Sequence, residues 1–289
     1  MNHTLKSAIL AFTTVFLWSS AFPLTKVATE YIGPNPLGLL RCSIAAILLL
    51  MIGLCCHIHA PKKASHIPLF FLSGGMGFSL YMITFNTGML TLSSAMGSLI
   101  IATTPVLTAI GASVLYKEKI KPFGWLCIIS AFAGVAVLLL WDNQVSTSAG
   151  MIWTCGAAFV FCCYNLLNRK LLSMGYNAIE CVTWSMVCGA LWLMPFLPEA
   201  IAQASQASTP ALITVVYLGA MPSATAYLLW SRAFSMAKKT SDVTNFQFLT
   251  PLISTLLGFL LLTEIPGPST LIGGVIIVIS IVLFGLKGK

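Results

Sequence analysis

The chain has 289 residues, of which 58% are hydrophobic and only 8% are charged. An average soluble domain carries about 25% charged residues, so the composition excludes an ordinary soluble globule and indicates that apolar side chains face lipid. The formal net charge of +8 does not indicate a nucleic-acid partner, because the fifteen Lys and Arg residues are scattered and no basic stretch carries interleaved aromatic residues.

Charges, prolines and polar clusters divide the chain into apolar segments, most of which reach the roughly 20 residues that a membrane-spanning helix needs. The third and fourth segments are separated only by a short polar patch from Thr91 to Ser94. We predict helices at about 5–29, 35–56, 67–90, 93–116, 122–141, 148–171, 178–197, 210–236, 241–263 and 268–286. The expected fold class is therefore all-α, a polytopic membrane protein with about ten transmembrane helices.

The positive charges give these helices an orientation. If the N-terminus is cytoplasmic and the helices alternate, thirteen of the fifteen Lys and Arg residues fall at the cytoplasmic side, and only Lys26 and Arg41 do not. Cytoplasmic loops carry such an excess of positive charge. The sequence therefore predicts a multi-pass protein of a cell membrane, plasma or bacterial inner, with both termini in the cytoplasm.

A shift of 146 residues aligns the two halves of the chain. The matches fall within the fourth and ninth predicted helices and in the turns after them: Thr104-Pro105 with Thr250-Pro251, Leu115 with Leu261, Glu118 with Glu264, and Pro122 with Pro268. Because five helices per half is an odd number, the halves insert with opposite topology. We predict two inverted five-helix repeats, 1–144 and 145–289, that form one unit. Secondary transporters often have this architecture, with a binding site near mid-membrane between the halves.

Several stretches, in their order, resemble a known family. They are FLWSSAFPLTKVA in the first helix, LGLLRCSIAAILL in the second, the two Thr-Pro…Glu segments, and GAMPSATAYLLWSRAF in the eighth. Over roughly 5–286 the chain resembles the EamA-type branch of the drug/metabolite transporter superfamily. The resemblance implies ten helices in two inverted repeats, cytoplasmic termini, alternating access, and export of amino acids, related metabolites or drugs. The second half departs from the first, since the region around Ser185 has no equivalent of Arg41.

Polar and aromatic side chains inside the helices are the candidates for substrate binding. Amides in hydrocarbon need hydrogen-bond partners or a wet cavity, and a ring of Trp, Tyr and amide groups suits an amphipathic substrate. The alternative for each residue is a hydrogen bond between helices or an anchor at the membrane interface. The candidates are Trp18, Tyr81, Asn86, Tyr164, Asn165, Tyr227, Trp230, Asn245 and Gln247.

Three further residues are candidates for gating. Arg41 lies deep in the second helix. In a functional role it contacts a substrate carboxylate or the outer gate. The alternative is a structural role, in which it snorkels to the interface or pairs with Glu30. Pro105 and Pro251 are predicted in mid-helix, where each either acts as a hinge or makes a static kink.

Groups for catalysis are missing from the sequence. It has no phosphate-binding loop and no intramembrane pair of His or carboxylate residues, so we expect no enzyme activity and no cofactor. We also expect no metal, because the Cys and His residues from Cys55 to His59 lack the spacing of a structural zinc site.

The sequence thus predicts a secondary transporter, an exporter of small metabolites such as amino acids that works by alternating access. Its expected partners are a small-molecule substrate and the lipid bilayer, and the oligomeric state stays open. The alternative within transport is a broad-specificity efflux protein for drugs or organic cations. Outside transport, the alternatives are a membrane-embedded enzyme or a non-transporting sensor.

Overall fold

The computed structural model of the chain describes residues 3–141, 145–236, 243 and 245–288. Within these residues every regular element is helical. We number ten helices in chain order: α1 (His3–Thr29), α2 (Pro34–Cys55), α3 (Ala64–Met89), α4 (Ser94–Leu115), α5 (Pro122–Trp141), α6 (Val145–Ser173), α7 (Ala178–Gln206), α8 (Thr209–Met236), α9 (Phe246–Leu262) and α10 (Pro268–Lys287). By length and composition eight of the ten contain a fully described stretch that can cross a membrane, whereas the corresponding stretches of α5 and α9, Pro122–Leu138 and Phe246–Leu262, are shorter apolar helices.

The predicted fold class is confirmed, since the described chain is an all-helical polytopic membrane protein with about ten helices. The expected break at Thr91 to Ser94 is present. Ser93 caps the N-terminus of α4 after this break. Its hydroxyl accepts the Met96 N–H at 3.2 Å and so satisfies a backbone donor that the start of the helix leaves free. The predicted boundary between residues 144 and 145 adjoins 142–144, which lie outside the described residues, and it stays a prediction.

The seventh helix is longer than the sequence predicts. We expected it to end before Pro198, but a 3-10 turn, Met194–Phe196, leads into a further helix, Leu197–Gln206. Pro198 lies in the first turn of that helix, where its missing N–H has no helical partner to lose. The Gln203 side chain accepts the Gly33 N–H at 2.8 Å, so this extension is held against the turn between α1 and α2.

The helices pack mainly across the two halves, and the pattern is the same when the halves are exchanged. Helix α1 packs on α8 and α9, and its counterpart α6 packs on α3 and α4. Helix α2 packs on α8, and its counterpart α7 packs on α3. The pairs α2–α7, α4–α9 and α5–α10 each join a helix to its own counterpart. This arrangement is that of two inverted repeats around a shared axis.

A local irregularity is repeated at the same offset. π-helical segments interrupt α3 at Gly75–Leu80 and α8 at Met221–Thr225, and their first residues are 146 positions apart, like the matches in the sequence. The Thr225 hydroxyl donates to the Ala220 carbonyl, five residues earlier, at 2.9 Å and so stabilises the wider turn. The equivalent Ser79 hydroxyl lies 3.4 Å from the Gly74 carbonyl and donates over the shorter distance of 2.8 Å to the Gly189 carbonyl of α7. Segments of this kind are often found at functional sites.

Helices α5 and α10 approach closely because glycines face each other. A Cβ atom at Gly134 would lie 3.0 Å from the Gly273 carbonyl oxygen, and one at Gly273 would lie 2.9 Å from the Gly134 carbonyl oxygen. Small residues of this kind let helix backbones approach in a membrane, where dispersion contacts drive much of the association.

We expect Gly273→Ala to lower the thermal midpoint of the protein in detergent, measured by differential scanning fluorimetry, because overpacking costs about 1–3 kcal/mol. Gly156→Ala is the matched control, since its nearest neighbour would be Thr84 Cγ2 at 3.9 Å. Its midpoint should not fall, because Ala is the better helix former. Equal midpoints for the two variants would contradict a tight α5–α10 contact.

Candidate binding cavity

A cavity of about 500 Å³ lies between the two halves, and every described helix except α5 contributes to its wall. The structure brings together most of the predicted binding residues there, along with two of the three gating candidates. Those that line the cavity are Trp18, Tyr81, Tyr164, Asn165, Tyr227, Trp230 and Gln247, with Arg41 and Pro105. Asn86 and Pro251 do not line it, and the side chain of Asn245 lies outside the described part of the chain.

Aromatic rings form a continuous belt in the cavity wall. Successive ring centroids lie 5.0 to 5.9 Å apart, in edge-on, tilted or stacked pairs. In spatial order the belt contains Trp230, Trp18, Tyr227, Phe78, Tyr164, Phe161, Tyr81, Phe85 and Phe22. Such contacts add about 0.5–1.5 kcal/mol per pair beyond the burial of area, so the belt is a rigid apolar surface for a ligand.

Several lining residues are equivalents in the two repeats. At the offset of 146 residues Trp18 corresponds to Tyr164, and Tyr81 corresponds to Tyr227. The irregular backbone also belongs to the wall: the Trp18 indole N–H donates to the carbonyl of Pro222, in the π-helical segment of α8, at 3.1 Å. The cavity is therefore built around the axis that relates the repeats.

Arg41 is a buried cation in the cavity wall. Its side chain is 3% exposed, and Nη1 donates to Thr25 Oγ1 at 3.0 Å and to Asn86 Oδ1 at 3.3 Å. Asn86 also donates to the Pro34 carbonyl at 2.9 Å, so it supports Arg41 from behind. Among the described residues no carboxylate lies within ion-pairing distance of Arg41. Neither snorkelling nor a pair with Glu30 describes this side chain.

The amide groups of the wall differ in how they are satisfied. Asn165 Nδ2 donates to Thr108 Oγ1 at 3.3 Å and so links α6 to α4. The buried Oδ1 atom of Asn168 has no partner in the structure. Asn168 therefore brings to the cavity wall a buried acceptor that no described residue satisfies.

The two Thr-Pro pairs follow helix interruptions. Helix α4 is interrupted before Thr104, and a 3-10 turn precedes the regular helix that starts at Thr250. Pro105 and Pro251 thus lie in the first turn of a helix, not in mid-helix as the sequence predicts, and no helical hydrogen bond is lost there. Pro105 is exposed to the cavity, whereas Pro251 is buried.

Helices α4 and α9 end in the same turn. Lys117 and Thr263, which are equivalents in the repeats, have left-handed backbones with φ of 55° and 54°. The next N–H, of Glu118 or Glu264, returns to a carbonyl six residues earlier, at 3.5 and 3.2 Å. This cap satisfies carbonyls that the helix end leaves free, and it presents a glutamate at the same place in each repeat.

Both glutamates form ion pairs with the other half of the protein. Glu118 contacts Arg169 of α6 at 2.5 Å, and both side chains are about half exposed. Glu264 contacts Lys26 of α1, where exposure is only 15% and 26%, and its second oxygen accepts the Ser94 N–H of α4 at 2.7 Å. Glu264 therefore ties three helices together, and its contacts are shielded from water more than those of Glu118.

The cavity extends toward only one end of the bundle. We call the end that holds the α6–α7 connection the first face, and the end that holds the α1–α2 turn the second face. The lining reaches Leu172 and Ala178, which flank the α6–α7 connection. The ion pair of Lys26 and Glu264 lies at the second face, so the described structure has its cavity closed on that side.

Comparison with known proteins decides the family. A model of the EamA-like transporter family matches residues 5–140 and again residues 148–286. The chain belongs to the EamA-like transporter family. The resemblance found in the sequence is thereby confirmed, and so is the prediction of a transporter in a lipid bilayer.

Relatives of this EamA-like transporter match it over nearly their whole length. A probable terminal-alkyne amino-acid exporter of Streptantibioticus cattleyicolor is 28% identical over 277 residues, which cover 95% of this chain and 91% of the relative. The uncharacterized transporter YdfC of Bacillus subtilis is 29% identical, with 94% and 88% covered. A solved crystal structure with a TM-score of 0.64 and 18% identity covers 98% of this chain and 97% of its own, and it supports the fold alone.

Sequence reasoning missed part of the cavity wall. Phe22 and Phe85 line the cavity but are not among the predicted binding residues. Each lies four residues after a predicted one, Trp18 or Tyr81, and residues four apart share a helix face. Helical spacing applied to the predicted residues would have found both.

We expect Trp18→Ala to lower ligand binding and transport by this EamA-like protein by roughly two- to tenfold, because a ring of the aromatic belt is lost. Transport is measured in liposomes and normalised to folded protein. Trp153→Ala is the matched control, since Trp153 is 45% exposed on the outside of α6. An equal loss in both variants would show that the effect is not specific to the cavity.

Proposed function

We propose that this EamA-like transporter is a secondary exporter of small metabolites such as amino acids, and that it works by alternating access. The observation that carries the proposal is the position of the cavity, which lies between inverted repeats, extends to the first face and is closed at the second. A molecule bound there reaches the other side when the halves exchange their conformations.

The direction of transport follows from the charges. Positive charges concentrate at the first face, which the positive-inside rule places in the cytoplasm together with both termini. The cavity in this conformation then loads from the cytoplasm, as an exporter requires. The relative from Streptantibioticus cattleyicolor, a probable amino-acid exporter, supports amino acids as the first class to test. No enzyme activity is part of this proposal.

The proposal is tested by measuring flux of radiolabelled amino acids through the purified protein in liposomes, with and without an imposed pH gradient. We expect saturable flux of one class of amino acid. The gradient should have little effect, because the described lining contains no carboxylate to carry a proton. Flux of organic cations without flux of amino acids would favour the broad-specificity efflux alternative, and absence of flux for every compound would contradict the proposal.

We further propose that Glu264 holds the cavity closed at the second face. Its carboxylate joins Lys26 of α1 to the first turn of α4, and the Ser254 hydroxyl donates to the Ser94 carbonyl at 3.0 Å in the same region. Opening at the second face has to break these contacts. Glu118 holds the equivalent place at the first face, where the pair with Arg169 is exposed and therefore worth little.

We expect Glu264→Gln to speed amide hydrogen exchange in the first turns of α4, Ser94–Ile101, by about tenfold, since bonds to charged groups contribute about 1.5–3 kcal/mol. Exchange is followed by mass spectrometry in detergent. Glu118→Gln is the matched control, because it changes the equivalent residue at the opposite face, and exchange in Ser94–Ile101 should stay as it was. Equal acceleration of exchange in both variants would refute a specific role of Glu264 in closing the second face.

A further inference from the structure

We infer that Arg41 binds a carboxylate group, and that the preferred ligand of the cavity is a small monocarboxylate with an apolar or aromatic body. The inference rests on the proposed function, because it takes the ligand to occupy the cavity. It goes further in naming one residue and one chemical group that set specificity.

The charge of the cavity carries the first step. Among the described residues that line it, Arg41 is the only one with a full charge. A cation that is 3% exposed and has no counterion among the described residues is costly in a medium of low dielectric constant. An anion that enters the cavity supplies this partner, and the burial of Arg41 strengthens the attraction.

The geometry of Arg41 carries the second step. Thr25 and Asn86 both accept from Nη1 and so fix the plane of the guanidinium group. The Nε–H, although buried, has no acceptor among the residues that the structure describes. Guanidinium presents its donors as a rigid fork that matches the two oxygens of a carboxylate. Arg41 is thus oriented by the protein and incompletely satisfied by it.

The rest of the wall defines the body of the ligand. The aromatic belt offers an apolar surface, and Met82, Val182 and Met186 extend it. The free Oδ1 of Asn168 accepts from one N–H or O–H group of a ligand. No described lining residue is acidic, so an ammonium group gains no ion pair, and a ligand with only a positive charge is repelled by Arg41.

Three probes with the same phenyl body test the inference on the unmodified full chain. They are 3-phenylpropionate (carboxylate only), phenylalanine (carboxylate and ammonium) and 2-phenylethylamine (ammonium only), with binding measured by isothermal titration calorimetry in detergent. We expect both carboxylates to bind at least tenfold more tightly than 2-phenylethylamine. Equal or tighter binding of the amine, or no binding of either carboxylate at millimolar concentration, would overturn the inference.

Substitutions assign the effect to Arg41. We expect Arg41→Gln to weaken 3-phenylpropionate roughly ten- to a hundredfold without weakening 2-phenylethylamine. Thr25→Val keeps the charge and removes one orienting bond, so it should weaken 3-phenylpropionate by a smaller factor even if Arg41→Gln fails to fold. Lys121→Gln removes a positive charge outside the cavity and should leave binding unchanged. Unchanged binding in both cavity variants would contradict the inference.

Transport and recognition can fail separately. Carboxylates that bind in an Arg41-dependent way but are not moved in liposomes would refute the transporter proposal and leave the role of Arg41 standing. Flux of amino acids that is unaffected by Arg41→Gln would support the transporter proposal and refute the role of Arg41.

Discussion

A backbone N–H or C=O group left without a partner in hydrocarbon costs several kcal/mol, and this constraint makes each crossing of the chain helical. Where the helices depart from regular geometry, side chains repair the loss. The Thr225 hydroxyl binds the Ala220 carbonyl at the start of the π-helical segment of α8, and the Trp18 indole binds the Pro222 carbonyl within it. In α3 the Ser79 hydroxyl binds the Gly189 carbonyl of α7. These irregular segments border the cavity, so the same residues form the irregular backbone and part of the cavity wall. Trp18 both supports the backbone of α8 and presents its ring to a ligand.

The two repeats share their scaffold and differ in their chemistry. The helix contacts, the π-helical segments and the turns that present Glu118 and Glu264 all recur at one offset. In the alternating access proposed above, each half takes the conformation of the other, and such repetition gives the two conformations similar free energies. The polar residues break the symmetry: Arg41 corresponds to Val187, and Asn168 corresponds to Phe22. In this proposal, alternation between states is a property of the shared scaffold, and ligand selection is a property of positions that the repeats do not share.

The sequence predicts the helices well because burial in lipid demands about 20 apolar residues and tolerates few charges. It also predicts the ring of Trp18, Tyr81, Tyr164 and Tyr227, since polar and aromatic groups within such helices need a partner or a cavity. It fails where contacts between distant parts of the chain decide the structure. The extension of α7 depends on the bond between Gln203 and Gly33, which no pattern within that helix indicates. Likewise, a Thr-Pro pair in an apolar run does not reveal that the helix is interrupted just before it, and the support of Arg41 by Asn86 joins residues 45 positions apart.

The position of Arg41 bears on how a ligand could bias the conformational equilibrium. Arg41, Thr25 and Asn86 all belong to the first repeat, so a carboxylate bound there stays attached to one half. Tyr164, Asn168 and Gln247 belong to the second repeat and line the other part of the same cavity. In the proposed alternating-access cycle, the contacts of the ligand body with the second repeat change as the halves rock, while those of its carboxylate do not. A ligand shifts a conformational equilibrium only by its difference in affinity between the states. In this cavity the difference in affinity has to come from the aromatic and amide contacts of the second repeat. The bond to Arg41 has a separate role, since it determines which molecules bind in the cavity.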